Sequence, residues 1–575
     1  MLNTSPRSGK PRSSRILRGM LEELRPYLLN AGWFSLGMNI LLLAPSLYML
    51  LVFDRVLTSR SSETLGVLTL GVLVALTFNF LLDAVRARLL AAVGGAMDQR
   101  LGAVVLAGVL ARSARSGVSD HGQSLRDVGV LRSFFAGPGV IALFDAPWLP
   151  IYLLVIFLFH PLMALCALVG IGVLVALTWF SERVTKPRLE QAQGETMAAS
   201  RFMDSAMRNV EAIQAMGMVK QMTAHWDSRN AKVLKAQAGV STTQSWITAG
   251  GRGVRQVLQA FMTGLGAWLV LGSDVAPGIM VASTILLGRV LQPMEGILAG
   301  WKVLVGVRGS WARLSDLLAT EQEARPATEL PAPSGRLTAE RIVFTPPGRE
   351  HPVIKGIQFA LEAGESLAII GPSGSGKSTL ARLLTGVWRA QSGVVRLDGA
   401  DIGQWPRDAL GPHLGYIPQD VELFACSAAE NIARLGEVDS EAVIAAARGA
   451  RAHELILNLP QGYETNLGEG GALISAGQRQ RIALARALYG GPRLVVMDEP
   501  NSNLDTDGEA ALQEVIGGLK QQGVTQIIVT HRPALLHSVD KVMLLRDGQI
   551  ELFGPREEVL AQVLRPATAL PGRPA

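Results

Sequence analysis

Charge is scarce in this chain. Asp, Glu, Lys and Arg together make up 18% of its 575 residues, hydrophobic residues reach 49%, and the mean hydropathy is +0.28. That balance excludes a disordered, solvated protein and is high for a soluble one. Cysteine is nearly absent: Cys166 and Cys426 are the only two, which excludes a disulfide framework or a cysteine metal cluster. Short internal repeats and low-complexity tracts are missing too, so a solenoid is excluded. The net charge of +6 would suit nucleic acid, but many basic residues flank long apolar runs. That placement points to membrane topology, with a lipid bilayer as partner and no nucleic acid. The length exceeds what one core can organise and predicts two or three domains.

Apolar runs dominate from Leu29 to Thr320. The clearest are Leu29–Phe53, Leu65–Leu82, Val140–Phe159 and Leu162–Phe180, against the roughly 20 apolar residues that a spanning helix needs. Two weaker runs follow, Val257–Leu271 and Val275–Leu298; the fifth begins near Arg252 and Arg255, and the sixth contains Arg289 and Glu295. Six spans are predicted. Arg7, Lys10, Arg12, Arg15 and Arg18 precede the first, so the N-terminus is expected in the cytoplasm. Arg86–Arg132 carries seven arginines and Arg183–Lys235 nine arginines and lysines. Both connections are therefore expected on the cytoplasmic side, extending the membrane helices inward. The opposite-side loops are short: Asp54–Glu63, His160-Pro161 and Gly272–Asp274. The first run lacks an obvious small-residue cleavage site, so it is read as a retained span and not a signal peptide. Asp145, Arg289 and Glu295 are functional candidates because ionisable groups in spans are costly. The plainer reading puts Asp145 at a span end and lets Arg289 and Glu295 satisfy each other or a neighbouring helix. Pro147, Trp148 and Pro150 would kink or anchor the third span.

The domain plan is therefore a cytoplasmic segment 1–28, a six-span α-helical domain 29–320, a polar, proline-rich linker 321–335, an α/β domain 336–563, and a disordered tail 564–575. Strands are predicted at Ile342–Phe344, Leu367–Ile370, Val394–Leu397, Leu494–Met497 and Gln526–Thr530. Lys541–Leu545 and Gln549–Phe553 flank Asp547-Gly548, a hairpin turn pair. Between the second of these strands and a helix lies Gly371-Pro-Ser-Gly-Ser-Gly-Lys-Ser-Thr379, a full match to the phosphate-binding loop G-x-x-x-x-G-K-[ST]. Gly371, Ser373, Gly374 and Gly376 let backbone N–H groups curl around phosphates at a helix N-terminus. Lys377 reaches the β- and γ-phosphates, and Ser378, next to Thr379, can ligate Mg²⁺. ATP or GTP is the expected ligand. Downstream, Leu494-Val-Val-Met-Asp498-Glu499 is a strand ending in two carboxylates. Asp498 suits Mg²⁺ and Glu499 suits the polarisation of an attacking water.

Between those two motifs stands Ile474-Ser-Ala-Gly-Gln478, followed by Arg479-Gln-Arg-Ile-Ala-Leu-Ala-Arg-Ala-Leu488. It resembles the signature of ATP-binding-cassette (ABC) proteins. Gln419 in Tyr416-Ile-Pro-Gln419 matches the Q-loop, Ser502-Asn-Leu-Asp505 the D-loop, His531 the switch histidine, and Gly468-Glu469-Gly470 the X-loop of exporters. Six spans followed by one cassette is similar to an ABC exporter half-transporter. The resemblance implies a P-loop ABC nucleotide-binding domain with a helical subdomain, ATP with Mg²⁺, and a homodimer whose sites each pair one P-loop with the other copy's signature. It implies that Ser475 caps the helix starting near Gln478, that Gly477 allows close backbone approach to phosphate, and that Gln478 and Asp505 join the same composite site. Gln419 would sense Mg²⁺ or water, and His531 would contact the γ-phosphate. Catalytic roles thus fall to Glu499, His531 and Gln419, and metal contacts to Ser378, Gln419 and Asp498.

Several positions depart from the pattern. Ala476 stands where glycine is usual, Ile474 for leucine, and Asn503 for alanine. Pro346 fills the slot of the adenine-stacking aromatic, while Phe344 alternates as a strand core residue. For cargo, Leu143-Phe-Asp-Ala-Pro-Trp-Leu-Pro-Ile151, Phe53-Asp-Arg-Val-Leu57 and Gln214-Ala-Met-Gly-Met218 resemble type I secretion exporters of the alkaline-protease and haemophore group. The short segment before the first span leaves no room for a peptidase domain. This implies export of an unfolded polypeptide with an uncleaved C-terminal signal, from a bacterial inner membrane, with a periplasmic adaptor and an outer-membrane channel. An exporter of lipid or small hydrophobic molecules would share every ATP motif; a soluble cassette protein does not fit the apolar first half.

Overall fold

Apolar runs alone do not set the length of the membrane helices. The computed structural model describes residues 13–116, 122–272, 274–320 and 330–563. Arg7, Lys10, Arg12, the tail 564–575 and most of the linker 321–335 lie outside the described residues. The chain divides into a helical unit, residues 1–112 and 119–322, and an α/β unit, residues 323–575 together with 113–118. The helical unit contains α1 (Ser13–Leu41), α2 (Ala44–Leu51), α3 (Ser62–Ser116), α4 (Gln123–Phe135), α5 (Pro138–Asp145), α6 (Leu149–Phe159), α7 (Pro161–Arg208), α8 (Val219–Leu271) and α9 (Pro277–Thr320). Six stretches among them are long and apolar enough to cross a membrane: Glu22–Ser59, Ser62–Ala114, Gly139–Phe159, Pro161–Arg208, Val219–Leu271 and Pro277–Ala319. The 55 residues of α3 amount to about 80 Å of helix at ~1.5 Å per residue. Only about 30 Å of that fits a bilayer core, so the arginine-rich half continues as helix beyond it.

Polar ties fix these helices to one another. Arg86 on α3 is 3% exposed and donates to Asp145 at 2.7 Å, to Ser35 at 2.9 Å and to Asp83 at 2.8 Å. Asn39 donates to Asp145 at 3.2 Å and accepts from the Tyr152 hydroxyl at 2.8 Å. Asp145 is therefore no solitary span-end carboxylate; it joins the first three spans through a largely buried ion pair. Near the end of α9, Arg313 donates to Asp127 on α4 through two nitrogens at 2.7 and 2.6 Å, and Ser310 adds 2.9 Å. Asp54 sits in a π-helical turn, Val52–Val56, and accepts from the Gly278 N–H at 2.8 Å, capping the first turn of α9. A β-carbon on Gly278 would fall 2.6 Å from that carboxylate. Glu295 pairs with Arg255 at 3.2 Å, while Arg289 donates to Gln292, so Arg289 and Glu295 do not satisfy each other.

The α/β unit holds two sheets. The strands are β1 (Leu337–Phe344), β2 (Ile354–Leu361), β3 (Ser366–Ile370), β4 (Ser392–Leu397), β5 (Ala400–Asp401), β6 (Leu414–Ile417), β7 (Leu494–Asp498), β8 (Thr525–Val529), β9 (Lys541–Arg546) and β10 (Gln549–Pro555). An antiparallel sheet runs β2-β1-β4-β5, and a six-stranded sheet runs β10-β9-β3-β8-β7-β6. In the latter all pairs except β10 with β9 are parallel. Every residue of β7 and β8 is buried, as strands covered on both faces require. Asp547 and Gly548 have φ of 49° and 80°, the two positive angles of a tight hairpin turn. Strands β2, β5 and β6 go beyond the sequence reading. In the first, Lys355 and Gly356 are both exposed and break the alternation, and the other two have only two and four residues.

Removing Arg86 alone strands a largely buried carboxylate. Arg86→Met should destabilise the purified protein by about 3–5 kcal/mol, and Arg86→Met with Asp145→Leu should recover most of the loss. Thermal unfolding in detergent or lipid discs measures both; equal stability of wild type and Arg86→Met would contradict a structural pair.

Candidate functional site

Parallel strands bring the motif residues to one edge. In the order β3-β8-β7-β6, the carboxyl ends of neighbouring strands lead to the 371–379 loop, His531, Asp498-Glu499 and Gln419 respectively. The crevice beyond those ends is where open α/β sheets bind ligands. From β3 the chain turns into α10 (Lys377–Leu384), with Gly376 as N-cap at φ 103°. Gly371, at φ 150°, is required by its neighbour: a β-carbon there would lie 2.1 Å from the Leu545 carbonyl oxygen. Ser373 and Gly374 are exposed at the loop tip, and Ser378 and Thr379 are half-buried in the first helical turn. Lys377 is 6% exposed and donates to the carbonyls of Gly371 and Pro372 at 3.0 and 2.9 Å. Burial lowers the pKa of its ammonium, and Glu499 and Asp498 oppose that.

Asp498 ends β7 fully buried. Burial raises its carboxyl pKa, partly offset by a hydrogen bond from the Ser378 hydroxyl, and its Oδ1 has no partner. Such a buried oxygen beside a hydroxyl is the hard donor set a magnesium ion takes. Glu499 has φ 51°, a left-handed conformation that costs a non-glycine residue energy and recurs at working sites. Its own N–H donates to Val529 at 2.9 Å. Its carboxylate lies between two side chains, with Oε1 3.2 Å from His531 Nε2 and Oε2 accepting from Gln419 Nε2 at 3.3 Å. The three residues assigned catalytic work thus meet in one cluster next to the phosphate loop.

The signature forms a second anion-binding end. Helix α11 (Ser440–Gly449) packs beside α12 (Ala476–Leu488) in the helical subdomain. Ser475 caps α12 in a reciprocal box: the Gln478 N–H donates to Ser475 Oγ at 3.2 Å, and the Ser475 N–H to Gln478 Oε1 at 2.9 Å. The helix therefore begins at Ala476, and Gln478 is its third residue, not its start. Its side chain is committed to the cap. Ala476 is exposed on the first turn. A β-carbon at Gly477 would lie 3.3 Å from the Asn503 carbonyl, so this glycine faces the D-loop backbone. Asp505 caps α13 (Thr506–Gln521) by accepting from Gly508 at 2.8 Å. No hydrogen bond among the described residues joins Ser475, Gln478 or Asp505 to the 371–379 loop. Phe344 is buried and stacks on Trp388 with centroids 5.1 Å apart, so its ring is already used in the core.

Arg434 went unnoticed in the sequence because nothing sets it apart from other arginines. Its guanidinium donates to the carbonyls of Arg486 and Ala487 at 3.0 Å each and to Gly411, closing the far end of α12. Burial lowers its pKa. The left-handed backbone of Glu499 was equally illegible.

Two family models match: ABC transporter over residues 354–502, and ABC transporter transmembrane region over 28–294. This chain belongs to the ABC transporter family. As a member it is an ATP-binding, ATP-hydrolysing transporter with a six-span membrane domain. The type I secretion system ATP-binding protein PrsD of Rhizobium meliloti is 43% identical over 95% of this chain and 94% of its own length. The cyclolysin secretion/processing ATP-binding protein CyaB of Bordetella pertussis is 30% identical over 92% of this chain and 75% of its own. Among solved structures, a bacterial Atm1-family ABC exporter with ATP bound matches with a TM-score of 0.82 at 23% identity, covering 94% of this chain and 96% of that one. That likeness concerns the fold alone.

Because Glu499 sits at φ 51°, glycine should be favoured there over alanine by about 1 kcal/mol. Glu499→Gly should therefore unfold at a higher temperature than Glu499→Ala, although both lose hydrolysis. The reverse order in a thermal melt would contradict the left-handed assignment.

Proposed function

We propose that this chain is the ATPase and permease subunit of a type I secretion system, and that it exports unfolded polypeptides as a homodimer in a bacterial inner membrane. The observation that carries this reading is the 43% identity to PrsD, because it runs through 95% of the chain, membrane half included. That half meets the cargo. An exporter of lipid or small hydrophobic molecules accounts for the ATP motifs equally well but not for an identity to a type I secretion protein that extends over 95% of the chain. The N-terminus and the α/β unit lie in the cytoplasm, as the arginine distribution supports. A periplasmic adaptor and an outer-membrane channel complete the path, and the cargo carries an uncleaved C-terminal signal.

Within each site, Gly371, Ser373, Gly374, Gly376, Lys377, Ser378 and Thr379 bind the phosphates of ATP. Ser378 and Asp498, with Gln419 beyond them, hold Mg²⁺, which supplies electrostatic stabilisation to the phosphate oxygens when bound. Glu499 accepts the proton of the attacking water, and His531 and Gln419 hold the Glu499 carboxylate in place from either side. Ser475, Gly477, Gln478 and Asp505 serve the ATP of the other copy, since an exposed helix N-terminus favours anions. The amide of Gln478 keeps the cap closed and so keeps the free N–H groups of α12 aimed outward.

Glu499→Gln keeps the shape and removes the base, so ATP binding should persist while turnover in membranes falls by at least about 100-fold. Near-normal hydrolysis would remove Glu499 from that role. For the cargo, a synthetic peptide copying the C-terminus of a protein secreted by the same cells should change the ATPase rate of the lipid-embedded dimer. Lipid-stimulated hydrolysis with no peptide effect would favour the lipid exporter instead.

A further inference from the structure

Among the described residues of the ATP site, Glu499 is the one non-glycine residue in the left-handed region, at φ 51°. Such a conformation persists only where neighbours hold it. On the amino side the hold is the sheet: β7 pairs with β8, and the Glu499 N–H donates to the Val529 carbonyl at 2.9 Å. The Glu499 carbonyl accepts from the Ser502 N–H at 3.1 Å, a bond inside its own loop that ties it to no other element. On the carboxyl side stands Pro500, which is buried and has no N–H to give. Its carbonyl is therefore the only hydrogen-bonding group that residue 500 offers, and that group is taken.

The donor is Gln480, whose Nε2 lies 3.0 Å from the Pro500 carbonyl oxygen and whose side chain is 3% exposed. Gln480 stands in the second turn of α12, on the face that carries Leu484 four residues on. Leu484, Leu504 and Leu512 line the space around it. Filling that space alone would take a leucine or a methionine; a buried amide adds a desolvation cost that the Pro500 carbonyl offsets. The same loop touches α12 twice more. The Asn503 carbonyl faces Gly477, and Asp505 lies 3.8 Å from Arg481. Residues 500–505 thus rest along the first turns of α12, where Gln478 is committed to the cap and Gln480 to Pro500.

Resting on the reading of Glu499 as the base, we propose that Gln480 is its positioning residue: the bond to the Pro500 carbonyl keeps Glu499 left-handed and its carboxylate between His531 and Gln419. The ring of Pro500 locks φ, so residue 500 has a single soft dihedral, and the direction of its carbonyl sets that dihedral. With the Glu499 N–H held by β8 and the Pro500 carbonyl held by α12, the backbone between them has no freedom left. A left-handed residue costs about as much as one buried hydrogen bond returns. Losing the Gln480 donor is therefore enough to let Glu499 relax, and its carboxylate then leaves the place from which it faces the attacking water. The 371–379 loop rests on β3 and α10 and keeps its shape, so the defect falls on turnover and not on ATP binding.

The test measures ATP hydrolysis by the full-length homodimer in lipid discs, with the rate counted per dimer that binds a fluorescent ATP analogue. Gln480→Met keeps the length of the side chain and loses its donor. It should lower kcat about tenfold and leave the Kd for the analogue within about twofold of wild type. Gln480→Leu should do the same, which gives a second reading should the methionine variant misfold. Added to Glu499→Gln, either substitution should change the residual single-turnover rate by less than about twofold, since a residue that acts through the base then has nothing to position. A purely structural role predicts another pattern: a lower melting temperature, fewer nucleotide-binding dimers, and an undiminished rate in those that remain. That pattern overturns the proposal, as does an equal loss of rate with and without the Glu499 carboxylate. If Gln480→Met is fully active while Glu499→Gln is dead, the base assignment stands and the positioning role falls. Near-normal hydrolysis by Glu499→Gln removes both.

Discussion

In a parallel sheet every strand ends on the same edge, and this constraint organises the ATP site. The hydrogen-bond ladders from β3 through β8 and β7 to β6 deliver four sequence-distant segments to one crevice. Without that pairing Lys377, Asp498, Glu499, Gln419 and His531 would have no reason to meet. The cost is concentrated at two points, a buried carboxylate at Asp498 and a left-handed backbone at Glu499. Both are unfavourable for a folded chain on their own, and both become intelligible beside a cation and a reacting phosphate.

The membrane half follows the same logic with different means. Apolar packing gives no register to long helices surrounded by lipid, so polar contacts supply it. Arg86 with Asp145, Arg313 with Asp127, and Asp54 with the first turn of α9 each tie segments far apart in sequence. Two of these fall in stretches that resemble type I exporters, Phe53–Leu57 and Leu143–Ile151. Their carboxylates hold helices in place.

Much of this was legible before any coordinates. The phosphate loop, the Asp-Glu strand end, the signature and the switch histidine each have a fixed spacing imposed by one ligand, so their residue types betray them. Apolar runs located the spans because bilayer thickness sets a minimum length. What stayed hidden depends on three-dimensional neighbours. Phe344 could be read as core but not as a ring stacked on Trp388, and Arg434 became distinct only through the carbonyls of α12. Of the two partners open to Glu295, Arg289 or a neighbouring helix, the structure supplies the neighbouring helix through Arg255, and separation along one helix could not decide between them.

The central claim is that one chain holds two incomplete halves of an ATP site. Within this chain the cap of α12 faces outward and shares no hydrogen bond with the phosphate loop. The most direct measurement is a cross-link between Ser373→Cys and Ala476→Cys in protein whose Cys166 and Cys426 have been replaced, with Glu499→Gln holding ATP in place. The account predicts a bridge between two copies that forms with ATP and Mg²⁺ and not without them. A bridge within a single copy, or one indifferent to nucleotide, would contradict it.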